Sequence, residues 1–295
     1  MCVAKAPHPS GPFKQIGDQP MDPDSIRIDA HIFEDDDGRN YFYYVTFDKG
    51  NQIWGGELND DMVTVKPGSL KLMVKPDQPW EQKKGRVCEG AEILKHEGTY
   101  YLTYSGSHFE SPYYAVGYAT SNSPLGPWKK YQHNPVMKST SYAHGTAHHC
   151  FTHSPDGEEI FIVYHRHFNL SQTEPRRMAI DRVQFVDQAD GPDILEIHGP
   201  TGSPQLLPSG TKPAETASKK NESNSQQPNI LMLFIDDLKP MTHDYGHEFM
   251  QTPNFDRFAA AGMPISYLMA LGGKRLRPLL TLIGYYMFKE HPSKI

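Results

Sequence analysis

Cysteine is scarce in this chain: Cys2, Cys88 and Cys150 are the only three in 295 residues. An odd, widely spaced set offers neither a disulfide framework nor metal-ligand spacing, so free, partly buried thiols are expected. Long hydrophobic runs are missing too. The longest apolar window, 279–288, is interrupted by Thr281 and Gly284 and is too short to span a membrane. Residues 1–9 hold no apolar stretch of the signal-peptide kind, which leaves the compartment open. Positive charge is in the minority, 29 Lys and Arg against 35 Asp and Glu, for a formal charge of −6. Nucleic acid and anionic membranes are therefore not expected partners. Helical periodicity is absent up to about residue 200.

What is present is turn-forming and aromatic: 25 Pro, 24 Gly, 16 Tyr and 14 Phe. That mixture suits many short strands joined by tight turns. Ile28 to Phe33, Tyr41 to Phe47, Gln52 to Leu58 and Met62 to Val65 read as one set of four strands. Residues 87–105 read as a hairpin turning at Glu97-Gly98, continued by Tyr113 to Thr120. A further set runs from His148 through Ile160–His165 to Met178–Phe185. Residues 3–16 and 118–131 align without a gap, through small polar residues to a shared Gly-Pro-aromatic-Lys run. Recurrence of one supersecondary signal implies equivalent units, each a blade of short antiparallel strands.

Residues 200–228 change character to Pro, Gly, Ser, Thr, Lys, Asn and Gln. Such a stretch buries too little apolar surface to offset ordering, so a flexible, disordered linker is expected over 202–228. Beyond it, Asn229 to Ile235 reads as a buried strand ending in Asp236-Asp237, and Thr252 to Gly262 as a capped helix. The stretch 266–289 is again helical in tendency.

Two acids stand out. Asp29 lies inside the apolar strand Ile28-Asp29-Ala30-His31-Ile32-Phe33, where an unpartnered carboxylate is costly. It is either a site residue or a carboxylate receiving backbone bonds at a strand end. Glu89, beside Gly90, opens the hairpin at 87–105. The run Asp35-Asp36-Asp37 reads as a solvated turn. Cleaving a glycosidic bond takes a proton donor for the leaving oxygen and a second carboxylate, and propellers supply such pairs from different blades.

Together these segments resemble glycoside hydrolase family 43. Ile28-Asp29-Ala30-His31-Ile32-Phe33 with Asp35 to Gly38 looks like its Ile-Asp-Pro-x-x-Phe segment, and Glu89-Gly90-Ala91 like its Glu-Gly-Pro acid motif. Ser10 to Phe13 and Ser123 to Trp128 match its recurrent Gly-Pro-aromatic turns. Gly145 to His149, Ser154 to Gly157, Val163 to His165 and Arg177 to Arg182 look like its final segments. The resemblance implies an all-β fold over 1–201, an incomplete five-bladed β-propeller of roughly three blades. It implies an inverting hydrolase of arabinan- and xylan-type carbohydrate that requires no cofactor. Glu89 would be the general acid, and Asp29 the carboxylate that raises the pKa of that acid and orients it. His148 would match the central-cavity histidine that meets a metal or water, with a packed histidine as the alternative. Arg177 would contact sugar, or be a surface arginine. Trp54, with Tyr101 and Tyr104, is a candidate aromatic surface for sugar. The aspartate serving as general base in that family lies upstream of anything matching residue 3. The expectation is an impaired enzyme, since a positioned base contributes ~10²–10⁴-fold. Related hydrolases are often exported.

Two shorter resemblances lie in the tail. Residues 229–264 resemble the strand–helix opening of type I sulfatases, which would make Asp236 and Asp237 calcium ligands, and calcium is the one ion the chain suggests. The sulfatase nucleophile motif is absent. Residues 265–295 resemble a helical fragment of polyprenyl synthases, where Lys274 and Arg277 would hold diphosphate. The alternatives to a hydrolase are a non-catalytic carbohydrate-binding remnant and a non-functional chimeric product.

Overall fold

The computed structural model describes residues 2–8, 11–16 and 26–211. Asp236, Asp237, Lys274 and Arg277 lie outside them, as do both tail fragments.

Each long sheet is a meander in which neighbouring strands are also neighbours in sequence. The first sheet is β3 (Ile28–Glu34), β4 (Asn40–Thr46), β5 (Gln52–Glu57) and β6 (Lys71–Val74), preceded by the pair β1 (Val3–Lys5) and β2 (Lys14–Ile16). The second is β7 (Cys88–His96), β8 (Thr99–Gly106), β9 (Ala115–Ser121) and β10 (Lys129–Lys130). The third is β11 (Ala147–His153), β12 (Ile160–Arg166), β13 (Arg177–Val186) and β14 (Ile194–Ile197). All pairings within these sheets are antiparallel. A single 3-10 turn, Pro79–Gln82, is the helical element of the described residues. Three four-stranded meanders, packed face to face in chain order, make a partial propeller.

Apolar side chains on both faces of the middle strands drive that packing. Tyr41, Tyr43 and Val45 of β4 join Ile93, Leu102 and Tyr104 of the second sheet in one core. From the other side of that sheet, Tyr101, Val116 and Tyr118 join Phe151, Ile162 and Val183 of the third in a second core. Trp80 lies against the second sheet where Gly106 and Gly117 leave room. A Cβ at either position would meet the indole at 2.4 and 2.6 Å.

The sequence copies at 3–16 and 118–131 adopt one structure. Lys5 pairs Lys14 in β1–β2 as Thr120 pairs Lys129 in β9–β10, the same positions of the aligned copies. Gly11 and Gly126 take matching φ of 86° and 78° before their prolines.

Several expectations need correction. Met62 to Val65 is a loop, because the Asp61 carboxylate accepts bonds from the amides of Val63 and Thr64 and from the Thr64 hydroxyl. The fourth strand is β6. Asp35 is not part of a solvated turn: it is buried, with Lys95 Nζ 2.5 Å and the Tyr100 hydroxyl 2.6 Å from its two oxygens. Ordered contacts also run past residue 201. Gln205 donates to Asp181, and the Ser209 amide to Glu159.

Candidate active site

The first strand of each sheet carries one irregularity near its start. The register slips between Ile28 and His31 in β3, between Glu89 and Glu92 in β7, and between Ala147 and Cys150 in β11. At each slip one residue has positive φ: Asp29 at 56°, Gly90 at 65° and His148 at 53°. A bulge re-aims the side chain it carries. Left-handed backbone is costly for a residue other than glycine, yet Asp29 and His148 both hold it. The three bulges bring Asp29, Glu89 and His148 into one network.

Glu89, 8% exposed, sits at its centre. Its Oε1 accepts from the Tyr114 hydroxyl at 2.6 Å and its Oε2 from the Asn51 side-chain amide at 2.7 Å. The Tyr114 oxygen is also 3.2 Å from His148 Nδ1. His148 Nε2 faces Asp29 Oδ1 at 3.9 Å, longer than a hydrogen bond, with the Asp29 side chain 5% exposed. The His148 amide donates to the Ser105 hydroxyl at 2.8 Å, fixing β11 against β8. Asn51 is placed by its backbone: its amide donates to Arg86 and its carbonyl accepts from Cys88, joining the first sheet to the second. All three sheets therefore meet in one chain of polar contacts, Asn51–Glu89–Tyr114–His148–Asp29.

Electrostatics fix some protonation states. Burial, then the Glu89 carboxylate, pushes the Tyr114 hydroxyl far above its ordinary range, so it remains a neutral donor; the Asp29 charge adds to this. His165, whose ring stacks with those of Tyr114 and His148, is held well below the usual histidine range by burial, with the Arg176 charge next. It is a neutral packing partner of the network.

Other expected site residues lie elsewhere. Arg177 is exposed, its guanidinium over the Phe168 ring at 4.4 Å. Its neighbour Arg176, just before β13, is half-buried; its Nε lies 2.9 Å from Glu174 Oε1, its guanidinium 5.7 Å from the Phe109 ring, and its charge acts on His165. Trp54 packs with Phe42, Tyr44 and Leu58 in a satellite cluster of the first sheet, outside this network. Tyr101 and Tyr104 are fully buried, and so offer no surface to a sugar. Their hydroxyls donate to the Asp193 carbonyl and to Glu81. Two members of the network were not foreseen from sequence: Asn51 and Tyr114.

A partial propeller with carboxylates at the bulges of successive first strands is the architecture of a propeller glycosidase. The chain belongs to glycosyl hydrolases family 43, whose family pattern matches residues 1–191. It is 31% identical over 187 residues to the beta-D-galactofuranosidase xynD of Aspergillus niger, covering 62% of this chain and 51% of that protein. It is 35% identical over 97 residues to an extracellular exo-alpha-(1->5)-L-arabinofuranosidase of Streptomyces chartreusis, covering 30% of this chain and 29% of that one. Among solved structures it resembles an endo-1,4-beta-xylanase from Bacteroides thetaiotaomicron, with TM-score 0.62, 37% identity and coverage of 68% of this chain and 67% of that one. It also resembles a thermostable family-43 glycoside hydrolase, with TM-score 0.64, 39% identity and coverage of 70% and 69%. The chain spans about half the length of the first curated relative and less of the second.

Proposed function

We propose that this chain carries the acid half of a family 43 site that hydrolyses arabinan- or xylan-type glycosides, with Glu89 as general acid. The observation that carries this reading is the fixing of Glu89 by Tyr114 and Asn51, beside Asp29 and His148, where three sheets converge. The furanosidase and xylanase relatives support the substrate class.

In this reading a protonated Glu89 gives its proton to the glycosidic oxygen as the bond from that oxygen to the anomeric carbon breaks. The Tyr114 hydroxyl has two acceptors within reach, Glu89 Oε1 and His148 Nδ1. It donates to Glu89 when that group is ionised and turns to His148 when Glu89 holds the proton. Asp29 acts on the acid through His148 and Tyr114, orienting both. Arg176, rather than Arg177, is the arginine assigned to the sugar. The network as described contains two carboxylates, and an inverting reaction also needs a base to activate water. The three sheets are read as consecutive blades of a five-bladed ring, with β1–β2 closing the blade before them.

The test is reducing-sugar release from arabino-, xylo- and galactofurano-oligosaccharides, whose leaving groups need a proton, comparing the chain with its Glu89→Gln variant. A loss of ~10²–10⁴-fold on the substrate that is turned over is expected for removal of a positioned acid. Equal rates would remove Glu89 from the role. Sugar binding by calorimetry without turnover by the parent would transfer the chain to a carbohydrate-binding remnant.

A further inference from the structure

The opposite end of β7 carries a second cluster. His96, Glu97 and Asp193 bring one imidazole nitrogen and two carboxylate oxygens within 4.8 Å of one another. Strand geometry of about 3.3 Å per residue puts His96 roughly 23 Å along β7 from Glu89, so the two sites are separate. The cluster bridges two sheets. His96 ends β7, Glu97 begins the turn to β8, and Asp193 immediately precedes β14 of the third sheet.

Two of the three groups are held in place by their surroundings. The His96 ring stacks on Phe185 with centroids 3.9 Å and planes 3° apart, and its Nε2 lies 3.0 Å from Asp193 Oδ2. The Asp193 carbonyl accepts the Tyr101 hydroxyl at 2.8 Å, which fixes the backbone beneath its side chain. The His96 side chain remains 30% exposed, open to solvent ions. Glu97 occupies the first position of a two-residue turn with φ of 46°, followed by Gly98 at 77°. Such turns favour Asn, Asp or Gly at that position, so the hairpin itself has no use for a glutamate there. A His–Asp hydrogen bond explains only part of the cluster. One imidazole proton can serve one carboxylate, and a second carboxylate beside it adds like charge that a cation would relieve.

We propose that His96, Glu97 and Asp193 form a binding site for a zinc-class divalent cation that braces the second sheet against the third. One nitrogen and two carboxylate oxygens suit Zn²⁺ and its borderline neighbours. Ca²⁺ and Mg²⁺ take oxygen ligands and gain little from the imidazole. Three protein ligands leave a remaining position to water.

The test is titration of the chelator-stripped full chain with ZnCl₂ by calorimetry, alongside His96→Gln and Glu97→Gln. A one-to-one event is expected in the parent, lost in His96→Gln and at least about tenfold weaker in Glu97→Gln, in line with the 10–100-fold cost of disturbing metal-site residues. Zinc should raise the melting midpoint of the parent and not that of His96→Gln, because an ion bound only to the native state stabilises it. Glu97 is exposed, so its variant keeps the test valid if His96→Gln fails to fold. A parent with no zinc event, or an event equal in both variants, overturns the site. Competition by equimolar Ca²⁺ overturns the assignment of metal class.

Discussion

The second strand of every sheet is buried almost throughout, and the second sheet stays enclosed in the strands on either side of it as well. β8 and β9 are buried almost throughout, whereas β3 alternates between half-buried and exposed residues and β13 is largely open. All three sheets share a strand order, and their first strands share a bulge, yet they place their site residues in different settings. Glu89 rides on the enclosed sheet, and its two hydrogen-bond donors come from the first sheet and from the loop before β9. Asp29 sits on a strand with one open face. The group assigned the proton transfer is thus held on the most enclosed sheet, and its modulator on a strand with one open face.

That contrast predicts that lesions packed against the enclosed second sheet cost more than lesions on the open strands of the first and third. Trp80→Ala empties the space against Gly106 and Gly117 and should lower the unfolding free energy by about 3–5 kcal/mol in urea denaturation. Gly117→Ala forces a methyl into the indole and should cost about 1–3 kcal/mol by the same measurement. A loss below half a kilocalorie in both would break the comparison. Asp35, which joins the first sheet to the second, sharpens it through pH. Burial pushes its carboxyl up, but bonds from Lys95 and Tyr100 outweigh this and hold it below the ordinary range. Its contribution is therefore full above the ordinary carboxylate pKa and is lost as pH falls below that, through the depressed folded value. Asp35→Asn should flatten that acid limb of the melting-midpoint curve, and an unchanged limb would remove Asp35 from the seam. Smallest of all, Ile32→Ala and Met178→Ala, at positions 49% and 59% exposed, should shift stability by no more than about 0.5 kcal/mol.

The sequence made local pattern legible and left tertiary partnership hidden. The hairpin of β7 and β8 was readable because apolar runs flank a two-residue turn, and the repeated Gly-Pro turns foretold the matching registers of β1–β2 and β9–β10. Glu89 and Asp29 stood out as acids beside or within apolar strands, and their joint network follows. Asn51 and Tyr114 left no mark, since they meet Glu89 from 38 and 25 residues away. Arg176 and Arg177 are adjacent in sequence but Arg176 precedes β13 and Arg177 begins it, a boundary that residue types alone do not reveal. Tyr101 and Tyr104 were misjudged for the converse reason. An aromatic on either face of a strand suggests a surface until both faces turn out to be covered. Met62 to Val65 has strand-like residues, but the Asp61 side chain claims the amides a strand would have used.

The most direct test of the account uses leaving groups. An activated aryl glycoside departs without a proton, whereas an alkyl glycoside or oligosaccharide needs one. With Glu89 as general acid, Glu89→Gln should keep most of the parent rate on a dinitrophenyl glycoside and lose at least about 10²-fold on the unactivated one. Equal losses on both substrates, or none on either, would contradict the assignment.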